Sequence, residues 1–130
     1  MIEHVSVPVS DYKKSKEFYK KLLAPAGYTL YRDMDEWKAG GFLEGKSTSF
    51  WIVEKKNKIM PIHVAVGAAS KEAVQKFHAE GLKAGGKNNG KPGFREDYGP
   101  NYYAAFVLDP DGNNIEACYF GEKAPREVIP

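Results

Sequence analysis

The feature that most limits what this chain can fold into is a repeat. His4-Val5-Ser6-Val7 opens the first half, and His63-Val64-Ala65-Val66 opens the second. Phe18 is matched by Phe77, Leu23 by Leu82 and Gly27 by Gly86, all at the offset that relates the two histidines (63 − 4 = 59). Self-similarity at a fixed spacing fixes architecture before any local signal does. Here it predicts two copies of one unit, with an imidazole at the same place in each. Two copies facing one another would carry both histidines to their shared interface.

The 130 residues correspond to one domain, since a unit of roughly half that length buries too little surface to stand alone. The domain is expected over residues 1–120, with modules at about 1–56 and 59–120, followed by a polar C-terminal extension at 121–130. The 19 basic and 17 acidic side chains are mixed along the chain and leave a net charge of +2. That balance argues against nucleic acid or an anionic membrane as partner. The densest basic run, Lys55-Lys56-Asn57-Lys58, reads as a solvated turn between the halves. The single cysteine, Cys118, cannot form an internal disulfide, and its apolar surroundings suit a packed thiol. No stretch has the length of a membrane span, the N-terminus lacks a signal-peptide pattern, and the cytoplasm is the expected location.

Local patterns give the element order. Ile2 to Val9 reads as a strand, and Ser10 or Asp11 as the cap of a helix that turns Tyr12, Ser15, Phe18, Tyr19, Leu22 and Leu23 inward. Pro25 and Gly27 end that helix. Tyr28 to Arg32, Trp37 to Leu43 and Ser49 to Val53 read as strands. In the second half Ile62 to Val66 is a strand, and Ser70 caps a helix with Ala73, Val74, Phe77 and Leu82 inward. Gly81 to Gly93 holds the end of that helix, a short weak strand and a loop. Tyr102 to Leu108 and Asn114 to Phe120 are strands joined at Asp109-Pro110-Asp111-Gly112, where proline presets φ and Asp-Gly accepts positive φ. Each half is therefore βαβββ.

Of three histidines, His78 lies in the second helix and reads as a surface or packing residue. His4 and His63 are set apart by their equivalence. Glu116 interrupts the apolar run Ile115-Ala117-Cys118-Tyr119, where a lone carboxylate is costly to bury; the plain alternative is a glutamate facing water. Two imidazoles and a carboxylate suit one divalent ion of Fe, Mn, Zn, Ni or Co. Between Phe94 and Tyr103, clustered aromatics with glycine and proline suit a loop entering a pocket. There Arg95 could hold an anion, and Tyr98 or Tyr103 could donate a hydrogen bond. Trp51 is either a pocket wall or plain core.

These motifs together resemble the vicinal oxygen chelate superfamily, which holds glyoxalase I, fosfomycin-resistance proteins, extradiol dioxygenases and bleomycin-resistance proteins. The resemblance is carried by His4 to Asp11 with Ser15-Lys16-Glu17-Phe18-Tyr19, by His63-Val64-Ala65-Val66, and by Phe106 through Asp109-Pro110-Asp111-Gly112 to Glu116. It implies an α+β fold of two βαβββ modules forming a curved, incompletely closed mixed sheet around a metal. It also implies His4, His63 and Glu116 as ligands, a small-molecule substrate and a homodimer that completes its sites across a two-fold axis. Aligning the turn at Gly45 with that at Gly112 sets Ser49 opposite Glu116, with Trp51 following on the same face. Glu54 falls on the other face. The fourth ligand of glyoxalase I, a glutamate, is therefore missing, which counts against that activity. Extradiol dioxygenases place a further histidine near the metal, for which only His78 remains. Fosfomycin thiol transferases carry a tyrosine where this chain has Phe106. The expected function is a metal-dependent lyase, isomerase, dioxygenase or transferase acting on an oxygen-chelating substrate, with a metal-bound hydroxide or Tyr98 as the candidate general base. The competing expectation is a non-catalytic antibiotic-binding protein of the same fold.

Overall fold

In a computed structural model, which describes residues 2–121, the two units are present. β1 (Val5–Val9), α1 (Tyr12–Leu23), β2 (Thr29–Met34), β3 (Ala39–Glu44) and β4 (Ser47–Glu54) form the first. β5 (His63–Gly67), α2 (Lys71–Lys83), β6 (Lys87–Phe94), β7 (Tyr103–Leu108) and β8 (Asn114–Tyr119) form the second. Each makes its own mixed four-stranded sheet, ordered β1-β4-β3-β2 and β5-β8-β7-β6, and neither closes into a barrel. In both, the first strand runs parallel to the last.

Asp11 is the cap of α1, accepting from Lys14 N at 3.1 Å, and Ser70 caps α2, accepting from Ala73 N at 3.0 Å. All six inward residues expected of α1 are buried. In α2 the inward seat expected for Leu82 belongs to Gly81, and Leu82 is 37% exposed. The reason is the crossing of the helices: a Cβ on Gly81 would stand 2.6 Å from Leu22 Cδ1. Only glycine allows that approach.

One apolar core spans both units. Val7, Val9, Phe42, Phe50 and Ile52 from the first sheet join Val66, Ala105, Val107, Ile115 and Ala117 from the second, around Phe18, Tyr19, Leu22, Val74 and Phe77 of the helices. Because strand side chains alternate, each sheet turns its other face away from the helices.

Polar contacts also join the units, from a buried pair out to the surface. Tyr19 Oη donates to Asp109 Oδ2 at 2.6 Å, Asn113 Nδ2 donates to Pro8 O at 2.9 Å, and Ser10 N donates to Asp111 Oδ2 at 3.0 Å. The turn read from Asp109-Pro110-Asp111-Gly112 therefore also locks the halves together.

Several boundaries differ from the sequence reading. The first strand begins at Val5 rather than Ile2. Trp37 lies in a 3-10 turn, Asp35–Trp37, and is 70% exposed rather than leading a strand. The segment expected to hold a short weak strand gives the eight-residue β6. That strand is at a sheet edge, where Pro92 and two register shifts, at Gly90 and Gly93, are tolerated. The extension expected at 121–130 lies, from residue 122, outside the described residues.

Candidate metal centre

The helix-free face of the second sheet is laid out by the hairpin β7–β8. Leu108 pairs with Asn114, Phe106 with Glu116 and Ala104 with Cys118. On the other side of β8, His63 pairs with Asn114 and Ala65 with Glu116. His63, Phe106, Glu116 and Cys118 therefore share this face. Glu116, 3% exposed, sits at its centre.

Glu116 is held at both oxygens. Oε1 lies 3.1 Å from His63 Nε2, and Oε2 accepts from the Tyr102 hydroxyl. His63 Nδ1 lies 2.9 Å from the carbonyl of Asn114. A carbonyl only accepts, so Nδ1 carries the proton. In the neutral ring Nε2 is then a lone pair aimed at a carboxylate oxygen. Two lone pairs at that distance need a proton or a cation between them. Ligand atoms each about 2.1 Å from one ion fit such a separation. A histidine whose second N–H is anchored on a backbone carbonyl is also how proteins orient a metal-binding imidazole. The donor set thus fits a divalent ion.

Tyr102 was not among the residues singled out from sequence, although Tyr98 and Tyr103 were. The signal was available: the tight turn fixes the hairpin register, and residues 102, 104 and 106 then share the face of Glu116. Burial first, and then the bond to Glu116, push the Tyr102 hydroxyl far above the ordinary tyrosine range, so it stays protonated and donates. Tyr98 packs edge-on against it, with ring centroids 5.4 Å apart.

Arg95 lies on the same face. Its guanidinium stands 5.5 Å from the Phe106 ring centroid, and that ring stacks on His63 at 6.1 Å. Its backbone N donates to Tyr102 O at 2.7 Å, which closes the base of the loop between them.

Tyr103 is a correction. It faces the helices, 8% exposed, with its hydroxyl accepting from Gln75 Nε2 at 2.9 Å and its ring against Phe94. A one-residue step along a strand reverses the face, and Tyr102 takes the place expected of it. His78 reads as it did from sequence, bonded to Asn88 Oδ1 at 2.9 Å.

His4 is not gathered with His63 and Glu116. Its ring bonds the neighbouring Glu3, and among the described residues no three His, Cys, Asp or Glu side chains come together as a metal cluster. The structure brings two of the three expected ligands together within one chain.

The first sheet gives a second correction. Ser6 pairs with Trp51 across β1–β4, and Gly41 with Trp51 across β3–β4. The matching pairs in the second sheet are Ala65 with Glu116 and Phe106 with Glu116. Ser6 and Ala65 are equivalent by the repeat, so Trp51, not Ser49, occupies the position of Glu116. A bulge between Phe42 and Leu43, together with a shorter turn (Glu44 pairs with Ser47, whereas Leu108 pairs with Asn114), displaces the count by turn alignment. The indole lies across Gly41, where a Cβ would stand 2.7 Å from the ring, and its Nε1 donates to Thr48 O at 3.0 Å.

Two mixed βαβββ sheets, with a histidine and a glutamate on a helix-free face, define a class of paired-module α+β proteins. Residues 1–117 match the Glyoxalase/Bleomycin resistance protein/Dioxygenase superfamily, and the chain belongs to it. A glyoxalase/bleomycin resistance protein from Albidiferax ferrireducens T118 is 29% identical, with a TM-score of 0.76 over 90% of this chain and 96% of that one. A putative glyoxalase from Bacillus halodurans is 25% identical, with a TM-score of 0.69 over 92% and 95%. A glyoxalase I variant from Zea mays shares the fold at 23% identity and a TM-score of 0.65. There 89% of this chain covers 45% of that chain, so this chain spans about half its length. No curated protein matches. No helix among the described residues is long and apolar enough to cross a membrane.

Proposed function

We propose that the protein is a divalent-metal enzyme acting on a small substrate with two neighbouring oxygens, and that it works as a homodimer. The observation that carries this is the facing of His63 Nε2 and Glu116 Oε1 at 3.1 Å, with Nδ1 already committed to a carbonyl. His63 and Glu116 would supply two ligands. The third, His4, would come from a second copy. The repeat makes His4 and His63 equivalent, and both helix-free faces turn away from the chain's own core. A two-fold pair can therefore set one chain's His4 opposite the other's His63.

A bound divalent ion would supply Lewis acidity to the substrate's oxygens as negative charge develops on them. The chain's own residues do the rest. Tyr102 fixes the Glu116 carboxylate, Phe106 holds the His63 ring by stacking, and Arg95 and the exposed Tyr98 border the face on which substrate would lie. Tyr98 is the candidate to exchange a proton with substrate. Trp51 would form the opposing apolar wall, where a second carboxylate is absent.

That indole also favours the second reading, a binding protein without turnover, since an aromatic wall replaces a proton-transfer base. The test is complementation. A His4→Ala chain and a Glu116→Ala chain should each take up no Mn²⁺, whereas their mixture should regain one intact site per mixed dimer. Failure of the mixture, with each parent folded, would contradict the shared site.

A further inference from the structure

We infer that the site selects an anionic ligand, one whose carboxylate is received by Arg95 while its neighbouring oxygens lie at the His63–Glu116 pair. The inference rests on the metal-site reading above and deepens it. Arg95 is not a loose surface cation. Its Nη2 donates to Lys91 O at 2.6 Å, and its plane lies over Phe106. Two glycines make the trough in which it lies. A Cβ on Gly90 would stand 3.2 Å from Nη2 and 2.8 Å from Phe106 Cδ1, and a Cβ on Gly93 would stand 3.2 Å from Nη1. Both glycines are on the face that carries Glu116, through their pairing with Phe106 and Ala104.

A guanidinium has five N–H donors in a fixed fork. One is used on Lys91 O. Among the described residues no carboxylate lies within ion-pair distance of the group, although carboxylates satisfy Lys16, Lys20 and Lys83 elsewhere. A planar cation so held, over an aromatic ring and with no counter-charge among the described residues, suits bidentate recognition of a carboxylate. Phe106 neighbours both groups, its ring centroid 5.5 Å from the Arg95 guanidinium and 6.1 Å from the His63 ring. A ligand lying across Phe106 would therefore reach both with its acid group and its chelating oxygens on opposite sides of one small ring.

The probes are 3,4-dihydroxybenzoate and catechol, which share the oxygen pair and differ in the carboxylate. Binding to Zn²⁺-loaded protein is read by calorimetry and by tryptophan fluorescence; zinc adds no redox chemistry. Metal content is measured on the same samples. The expected result is that the acid binds at least about tenfold more tightly than catechol, the scale of one ion-paired contact. Arg95→Gln should abolish the preference, Arg95→Lys should retain part of it, and Lys91→Gln should leave it intact. Metal and catechol uptake without a preference for the acid would overturn the inference and leave the metal site standing. So would a preference that survives Arg95→Gln or falls equally with Lys91→Gln. A native protein that takes up no metal would overturn the metal site and this inference together.

Discussion

The Tyr102 hydroxyl donates to Glu116 Oε2 while His63 Nε2 faces the other oxygen of the same carboxylate. A buried carboxylate is thereby fixed in orientation, and one oxygen is left directed at the imidazole. Tyr102 is a positioning residue, and it acts through Glu116. Tyr102→Phe should keep the fold and weaken Mn²⁺ binding by about 10–100-fold, the usual effect of losing a group that orients a ligand. Calorimetric titration of folded variant and native protein measures it. Unchanged affinity would remove Tyr102 from the site.

Trp51 stands where the repeat would place a second Glu116. Trp51→Glu should therefore add a carboxylate ligand and tighten divalent-metal retention by about tenfold or more, the scale of one strong contact. Equilibrium dialysis against a chelator reads the change. A variant that folds and binds metal no better would show that the first sheet's face does not meet the ion.

The junction of the units depends on Tyr19, Asp109 and Asn113. Tyr19→Phe removes one donor to a buried carboxylate that keeps Asn113 Nδ2 at 2.8 Å, and should cost about 1.5–3 kcal/mol. Asn113→Ala removes the bonds to Pro8 O, Asp109 Oδ2 and Ile62 N at once and should cost more. Denaturant melts of the two variants rank them.

Alkaline pH tests the same hydroxyl. Burial first, and then the Asp109 charge, raise the Tyr19 pKa well above the ordinary value of 10.0. A group whose folded pKa is raised contributes stability that is complete below the unfolded pKa and is lost as pH rises toward the folded one. Native stability should thus fall above about pH 10, and Tyr19→Phe should flatten that limb. Parallel alkaline limbs would contradict the assignment.

Ser15 Oγ is a buried side-chain atom without a hydrogen-bond partner among the described residues. Ser15→Ala removes an unsatisfied polar group and improves helix propensity. It should leave thermal stability unchanged or raise it. A clear loss would mean that the hydroxyl has a partner in solution.

Much of this was legible in the sequence. The constant offset between His4 and His63 dictated two equal units, and the tight turn at Asp109-Pro110-Asp111-Gly112 dictated the last hairpin. The cost of burying a carboxylate singled out Glu116. What escaped were contacts set by register and close approach. Leu82 lost its inward seat because Gly81 lets two helices touch, a fact of the crossing and not of the helix pattern. Turn alignment sets Ser49 at the Glu116 position because it ignores a bulge and a difference in turn length. Tyr103 was chosen where Tyr102 belongs because apolar content does not say which side of a strand faces a site. His4 was expected to meet His63 at a shared interface, and the equivalence of the units does not say whether that interface lies within one chain or between two.

That His63 and Glu116 hold a divalent metal is open to a direct test. The most direct measurement is elemental analysis of protein purified without chelator or nickel affinity resin, beside His63→Ala and Glu116→Ala. About one ion per chain is expected in the native protein, bound by deprotonated ligands and released on acidification, and almost none in either folded variant. Native protein that holds no metal and takes up none of Mn²⁺, Fe²⁺, Zn²⁺ or Ni²⁺, or variants that retain as much as the native chain, would contradict it.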